Sequence, residues 1–250
     1  MVTLYPQKQF KLQKRTSIRH VVSFFIFHMN YLIHQLLNAE EINLIKKELE
    51  KCSQQDWEDG KKTAGIHASI VKNNLQLNRN TEVSKKNAQL VSKKILSSQL
   101  IKSFSLPKRI HGIMFTKSSN KMHYGRHIDN PYMSSGRSDL SLTISLTNKD
   151  FYEGGELIIE TMNTEEKFKL NPGEIILYPS SYLHAVNEVN NGERLVCVGW
   201  IESYVKSTEK REYLFDLDAG ARSLLAKHGR SDELDLIFKS YSNLLRDIGE

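Results

Sequence analysis

The sequence predicts an α+β chain with a mainly β centre, antiparallel and closed into a sandwich or barrel, between N- and C-terminal helical segments. Three observations predict it. From about 108 to 205, short β-branched stretches are punctuated by Gly154-Gly155, Asn171-Pro172-Gly173 and Asn190-Asn191-Gly192, which are strand and hairpin signals. No interval between them carries a long helical pattern, which disfavours a parallel sheet with crossover helices. On either side of that span, apolar residues recur at the helical period instead.

The elements follow in order. Residues 1–28 carry Lys8, Lys11, Lys14, Arg15 and Arg19 ahead of a short apolar run, Val21–Phe27. The run is at the short end for a signal peptide, no small-residue cleavage site follows it, and it is far too short to span a bilayer. A disordered extension or an upstream start codon is expected, with the folded body opening near Met29. The segment 29–107 reads as helix-rich. Asn38 with Glu41 three residues on has the form of a capping box, and Ile42, Ile45, Leu49 and Cys52 mark a buried helical face. Residues 81–102 give a second helical pattern, and Pro107 is expected to close the segment. Strands are expected at 110–115, 140–146, 156–160, 167–170, 174–178 and 194–201. From 206 to 250 the pattern is helical again, with Gly229 ending one helix and Ser231 capping the next. Leu234, Ile237, Phe238, Tyr241, Leu244, Leu245 and Ile248 then form an apolar stripe, read as core or as a homodimer contact.

Charge and cysteine content exclude some functions. The formal net charge is +6 over 250 residues, but the first 28 residues hold +5 of it. A body of about +1 gives no reason to expect a nucleic-acid partner. No other candidate membrane segment appears. Cys52 and Cys197 lie far apart without CxxC spacing and read as free buried thiols, which suits a cytoplasmic location.

The chemistry is concentrated downstream of Tyr124. In Tyr124-Gly125-Arg126-His127-Ile128-Asp129, His127 and Asp129 stand two apart, so an extended chain presents an imidazole and a carboxylate on one side. Such a pair is weak evidence alone. His184 strengthens it, because it follows a strand running into a Pro179 turn and can return a second imidazole from a distant strand. Two histidines and one carboxylate, with open positions left, form the facial triad of non-haem iron(II) oxygenases. Ten residues on, Arg194 opens an apolar strand, where a planar guanidinium suits a buried carboxylate. Tyr124 reads either as a hydrogen-bond partner of a co-substrate or as a packed aromatic.

These residues resemble the PKHD-type hydroxylases, bacterial members of the prolyl-4-hydroxylase-like iron and 2-oxoglutarate oxygenases. The resemblance is carried by Val71-Lys72-Asn73-Asn74, Tyr124-Gly125 with His127-Ile128-Asp129, Asp139-Leu140-Ser141 and Gly154-Gly155-Glu156-Leu157. It continues through Leu177–Ser181 with His184, Arg194 ahead of Trp200-Ile201, Leu214–Asp218 and Asn243–Arg246, so it spans about Met29 to the end. It implies a double-stranded β-helix (jelly roll) core at 108–205 and Fe2+ on His127, Asp129 and His184. It further implies 2-oxoglutarate on Arg194, O2 as co-substrate, L-ascorbate as reductant and a link to iron homeostasis. Arg126 stands where an aromatic residue is expected, and residues 1–28 have no counterpart. The primary substrate is open, with Lys72, Asn73, Asn74, Arg126, Arg137 and Asp139 as candidate rim residues. The rival expectations are a non-catalytic or cupin-type jelly-roll metal-binding protein and a nucleic-acid repair oxygenase. For the cupin reading, the spare histidines His67, His111, His123 and His228 show no suitable spacing, although His123 is close enough to His127 to support it.

Overall fold

The computed structural model describes residues 30–161 and 164–250; the expectation for residues 1–28 lies outside them. The chain opens with β1 (Leu32–Gln35), α1 (Ala39–Glu50), β2 (Trp57–Asp59), the short α2 (Ile66–Ile70), β3 (Lys72–Asn73) and β4 (Leu75–Leu77). It continues through α3 (Glu82–Ser97), α4 (Gln99–Ser105), β5 (Pro107–Ser119), β6 (His123–His127), β7 (Tyr132–Met133), β8 (Gly136–Arg137) and β9 (Leu140–Ser145). Then come β10 (Tyr152–Gly154), β11 (Leu157–Glu160), β12 (Glu165–Phe168), β13 (Glu174–Pro179), β14 (His184–Val186), β15 (Val189–Ser203), α5 (Thr208–His228) and α6 (Asp232–Ile248).

The strands form two antiparallel sheets. The larger runs β1-β13-β9-β15-β5-β4-β2, with β10 also on β15, and the smaller runs β12-β11-β14-β6-β3. The expected α+β class with an antiparallel β core is therefore observed. The helix-rich segment before 107 also supplies edge strands to both sheets, a role its helical periodicity hides because these strands are only two to four residues long. Pro107 does not end the segment as a breaker. Leu106 adopts left-handed φ of 43°, and Pro107 begins β5 at the sheet end. The helical pattern at 81–102 divides at Ser98, whose side chain caps α4 at Ile101 N.

Period-two alternation assigns each strand face its work. In the larger sheet Phe115, Ile144, Ile175, Leu177, Leu195 and Cys197 point outward, into a core shared with Ile45 of α1 and with Val91 and Ile95 of α3. Met114, Thr116, Thr143, Arg194 and Val198, from the opposite parity of three of those strands, line a cavity between the sheets. Register holds the outward set together: Cys197 pairs with Phe115 on one side and with Ile144 on the other. Both cysteines are free, and burial pushes the Cys197 thiol pKa up.

The expected caps form. Asn38 and Glu41 exchange hydrogen bonds at the start of α1, Gly229 follows α5 with φ of 77°, and Ser231 accepts from Leu234 N at the start of α6. The stripe on α6 is only partly used: Tyr241, Leu245 and Ile248 pack on Leu106, Val205 and Leu214, whereas Leu244 is exposed. Among the described residues no helix is long and apolar enough to cross a membrane.

Phe115 is fully buried at the centre of the outward core. Phe115→Ala is expected to cost about 3–5 kcal/mol of unfolding free energy. Leu236→Ala, on the open side of α6 at 62% exposure, should cost less than about 0.5 kcal/mol. Urea denaturation of both variants checks the contrast.

Candidate active site

The site starts from a strand pairing. β14 lies antiparallel to β6 with His184 directly opposite His127, and the two imidazole centroids are 4.2 Å apart. Each imidazole is oriented by its own local chain. His127 Nδ1 donates to Gly125 O at 2.8 Å, and His184 Nδ1 donates to Tyr182 O at 3.0 Å. With the hydrogen on Nδ1, each neutral ring would turn its Nε2 lone pair to the cavity, the form that binds a metal. Burial, and next the His184 ring, push the His127 pKa down to about 4, so its lone pair is free at neutral pH.

Asp129 lies just past the end of β6 and is held from the larger sheet. Its Oδ2 accepts from Trp200 Nε1 at 2.9 Å and from Ser141 Oγ, which in turn meets Ser180 Oγ at 2.8 Å. His184 Nε2 is 3.8 Å from the same oxygen. One ligand atom from each of His127, Asp129 and His184 lies within 4.8 Å of the others, a spacing one small cation can span. Two nitrogens and one oxygen from three side chains leave coordination positions for other ligands, and this donor set fits ferrous iron.

Arg194 faces the same cavity of about 410 Å3. It is 6% exposed, and among the described residues it makes no ion pair with a carboxylate. Burial lowers its pKa, opposed by Tyr152 and Tyr178 beside it. A buried guanidinium without a carboxylate is costly, and an anionic ligand would offset that cost. Tyr124 lines the cavity too, stacked on His127 with ring centroids 3.5 Å apart and with Lys72 Nζ 4.7 Å from its own centroid. Burial pushes Tyr124 up and Lys72 down, the latter to about 8.

The structure thus brings together His127, Asp129, His184, Arg194 and Tyr124. Of the candidate rim residues, Lys72 and Asn74 line the cavity; Asn73, Arg126, Arg137 and Asp139 do not. Arg126 pairs with Glu160, and Arg137 with Asp139, whose Oδ2 also accepts from Ser203 N. His123 lies outside the cavity lining with Nδ1 on Lys121 O, and His111 holds Ser135 and Arg137 of the β7–β8 hairpin. Sequence reasoning gave no role to Trp200 and Ser141, the two residues that hold Asp129. The parity that sets Arg194 inward on β15 sets Trp200 inward as well, and that signal was available.

Two family profiles match the chain: the 2OG-Fe(II) oxygenase superfamily over residues 113–202 and the PKHD-type hydroxylase C-terminal domain over 209–250. A PKHD-type hydroxylase of Prochlorococcus marinus (strain MIT 9301) is 96% identical over 222 residues, covering 89% of this chain and 100% of that protein. The chain belongs to the PKHD-type hydroxylases. A relative from strain NATL2A is 58% identical over the same shares. Among solved structures, a Pseudomonas putida prolyl-4-hydroxylase matches with a TM-score of 0.54 at 15% identity, over 75% of this chain and 99% of that one. A Trichoplax adhaerens prolyl hydroxylase in complex with a hypoxia inducible factor peptide matches at 0.53 and 14%, over 74% and 86%. These likenesses establish the jelly-roll fold. With the family come a dioxygenase activity, Fe2+ and the co-substrates 2-oxoglutarate and O2.

Because Trp200 reaches Asp129 from the opposite sheet, Trp200→Phe removes one hydrogen bond and little volume. It is expected to weaken Fe(II) binding about 10–100-fold with a near-normal melting temperature, as read by anaerobic metal titration beside a thermal melt.

Proposed function

We propose that this PKHD-type hydroxylase binds Fe(II) through His127, Asp129 and His184, and binds the far carboxylate of 2-oxoglutarate at Arg194. One observation carries the reading: a buried guanidinium without a carboxylate shares one cavity with three convergent ligand atoms. A simple metal store has no use for that arginine. The cupin-type alternative needs further histidines, and His111 and His123 are bonded elsewhere.

Bound iron supplies the activation of O2, coupling decarboxylation of 2-oxoglutarate to succinate and CO2 with hydroxylation of a C–H bond. The chain's own residues position and shield. The backbone oxygens of Gly125 and Tyr182 fix the two imidazoles, Trp200 and Ser141 fix Asp129, and Arg194 orients the co-substrate along the cavity. Tyr124 lies over His127 and is in position to bond the co-substrate. Leu157, Val186 and Val198 give the cavity an apolar wall that keeps water down.

The finer assignments belong to the same proposal. Residues 108–205 are taken as the catalytic core between the 29–107 and 206–250 segments. L-ascorbate as reductant and a role in iron homeostasis rest on the family resemblance. Free cysteines support a cytoplasmic setting, the small charge of the body argues against a nucleic-acid partner, and exposed Leu236 and Leu244 on α6 offer a homodimer contact.

Anaerobic loading with Fe(II) and 2-oxoglutarate, an oxygen pulse and a succinate assay test the reading. Asp129→Ala should form no succinate above background; normal decarboxylation by that variant would overturn the ligand assignment. Arg194→Ala should raise the half-saturating 2-oxoglutarate concentration about 10–100-fold, the loss of a charge-assisted hydrogen-bond pair, and should retain turnover at saturation.

A further inference from the structure

The entrance side of the cavity is built by a segment that changes sheets. β3 pairs with β6 in the smaller sheet and, one residue later, β4 pairs with β5 in the larger. The crossing places Lys72, Asn74 and Gln76 on the cavity wall, with Arg79 just beyond them at its mouth. Lys72 is 6% exposed, and its ammonium bonds Thr63 Oγ1 at 3.3 Å. Thr63 in turn donates to Gln76 Oε1, which leaves the Gln76 NH2 group open. Asn74 Oδ1 is buried without a hydrogen-bond partner against Gly60, so the NH2 group is the open end of that amide too. Among the described residues, neither Lys72 nor Arg79 makes an ion pair. The nearby acids are engaged: Glu58 with Asn78 and Lys62, Asp59 with Lys61 N.

The charge balance of the loaded cavity gives these donors a purpose, and this step rests on the proposed iron and 2-oxoglutarate sites. Among the described residues that line the cavity, Asp129 is the only carboxylate. Ferrous iron with Asp129, and Arg194 with the two carboxylates of 2-oxoglutarate, carry no net charge together. Two further cations, Lys72 beside Tyr124 and Arg79 at the exposed rim, are left over, beside two amide NH2 groups. Ala64, Ala68, Ile128 and Met133 line the same cavity and supply an apolar surface. We infer that Lys72, Asn74, Gln76 and Arg79 form the recognition site for the primary substrate, a small organic oxyanion with an apolar body. Its carboxylate or phosphate ester sits at the β3–β4 crossing and its apolar part extends toward the metal. A cationic substrate, such as a free amine, is excluded by the same charges.

A headgroup series on one apolar body tests this. Hexanoate, hexyl phosphate, hexanamide and hexylamine are titrated calorimetrically into anaerobic protein already saturated with Fe(II) and 2-oxoglutarate. At least one oxyanion should bind about tenfold or more tighter than the amide, as a charge-assisted contact does, and hexylamine weakest of all. The better of the two oxyanions identifies the headgroup. Arg79→Gln, an exposed change, and Lys72→Met should each reduce the oxyanion preference at least about threefold, and the double variant should bring it close to one. Thermal melts show that the variants are folded, and Arg79→Gln decides should Lys72→Met fail to fold. Equal or tighter binding of the amide or amine, no binding of either oxyanion, or a preference that survives in the double variant would overturn the inference. Calorimetry of 2-oxoglutarate with the unaltered protein and with Arg194→Ala comes first. Failure there strikes the underlying oxygenase reading, whereas failure only in the headgroup series strikes the substrate class.

Discussion

The pairing of His184 with His127 across β14 and β6 is the constraint on which the site depends. Side chains alternate faces along a strand, so a slip of one residue would turn one imidazole out of the cavity while the other stayed in. The register breaks immediately after this pair, between His184 and Val186. The two histidines therefore stand where regular pairing ends and the chain is free to aim side chains. Asp129, two residues past His127, depends on that freedom as well, since it has left the strand and is drawn across to Trp200 and Ser141 on the other sheet.

The larger sheet divides its two faces between stability and chemistry. Outward residues such as Phe115, Ile144 and Cys197 bury apolar surface against α1 and α3, and inward residues of the same strands carry Thr116, Thr143 and Arg194. The inward face is the less stable arrangement, because a buried cation without a counter-charge costs several kcal/mol of desolvation. Helix packing on the outer face offsets that cost and allows Arg194 to stay buried without a carboxylate partner. Gly112 shows the same economy at smaller scale. It takes φ of +64° at a bulge in β5, where any Cβ would fall 2.6 Å from the Trp200 ring, so the indole that holds Asp129 has room only because that position is glycine.

Much of this was legible in the chain itself, for identifiable reasons. The capping box at Asn38 and the stop and cap at Gly229 and Ser231 are local rules satisfied by neighbouring residues, and they appear as expected. The convergence of His127, Asp129 and His184 on one cavity with Arg194 was legible because the His-x-Asp spacing puts two side chains on one side of an extended chain and His184 and Arg194 lie on later strands. The two-residue strands were not, since β3, β7 and β8 are too short to show a period. Arg137 and Asp139 illustrate a different limit. In sequence they read as polar rim residues near the site, but they bond each other and the Ser203 backbone, a contact that only long-range register creates. Trp200 reads as core by type, and its hydrogen bond to a carboxylate 71 positions earlier is a product of sheet packing.

The cavity's cations also bear on the order in which ligands settle. 2-Oxoglutarate is itself a dianion, so the Arg79 and Lys72 charges would draw it toward the cavity as well as the proposed substrate. The proposed 2-oxoglutarate site would offer Arg194 and the metal together, one for each carboxylate, so the diacid would gain both contacts at once there. A substrate with a single anionic group would gain no such second contact there and would stay at the β3–β4 crossing. Arg194 with the metal, and Lys72 with Arg79, would thus sort two anions by the number of anionic groups they carry.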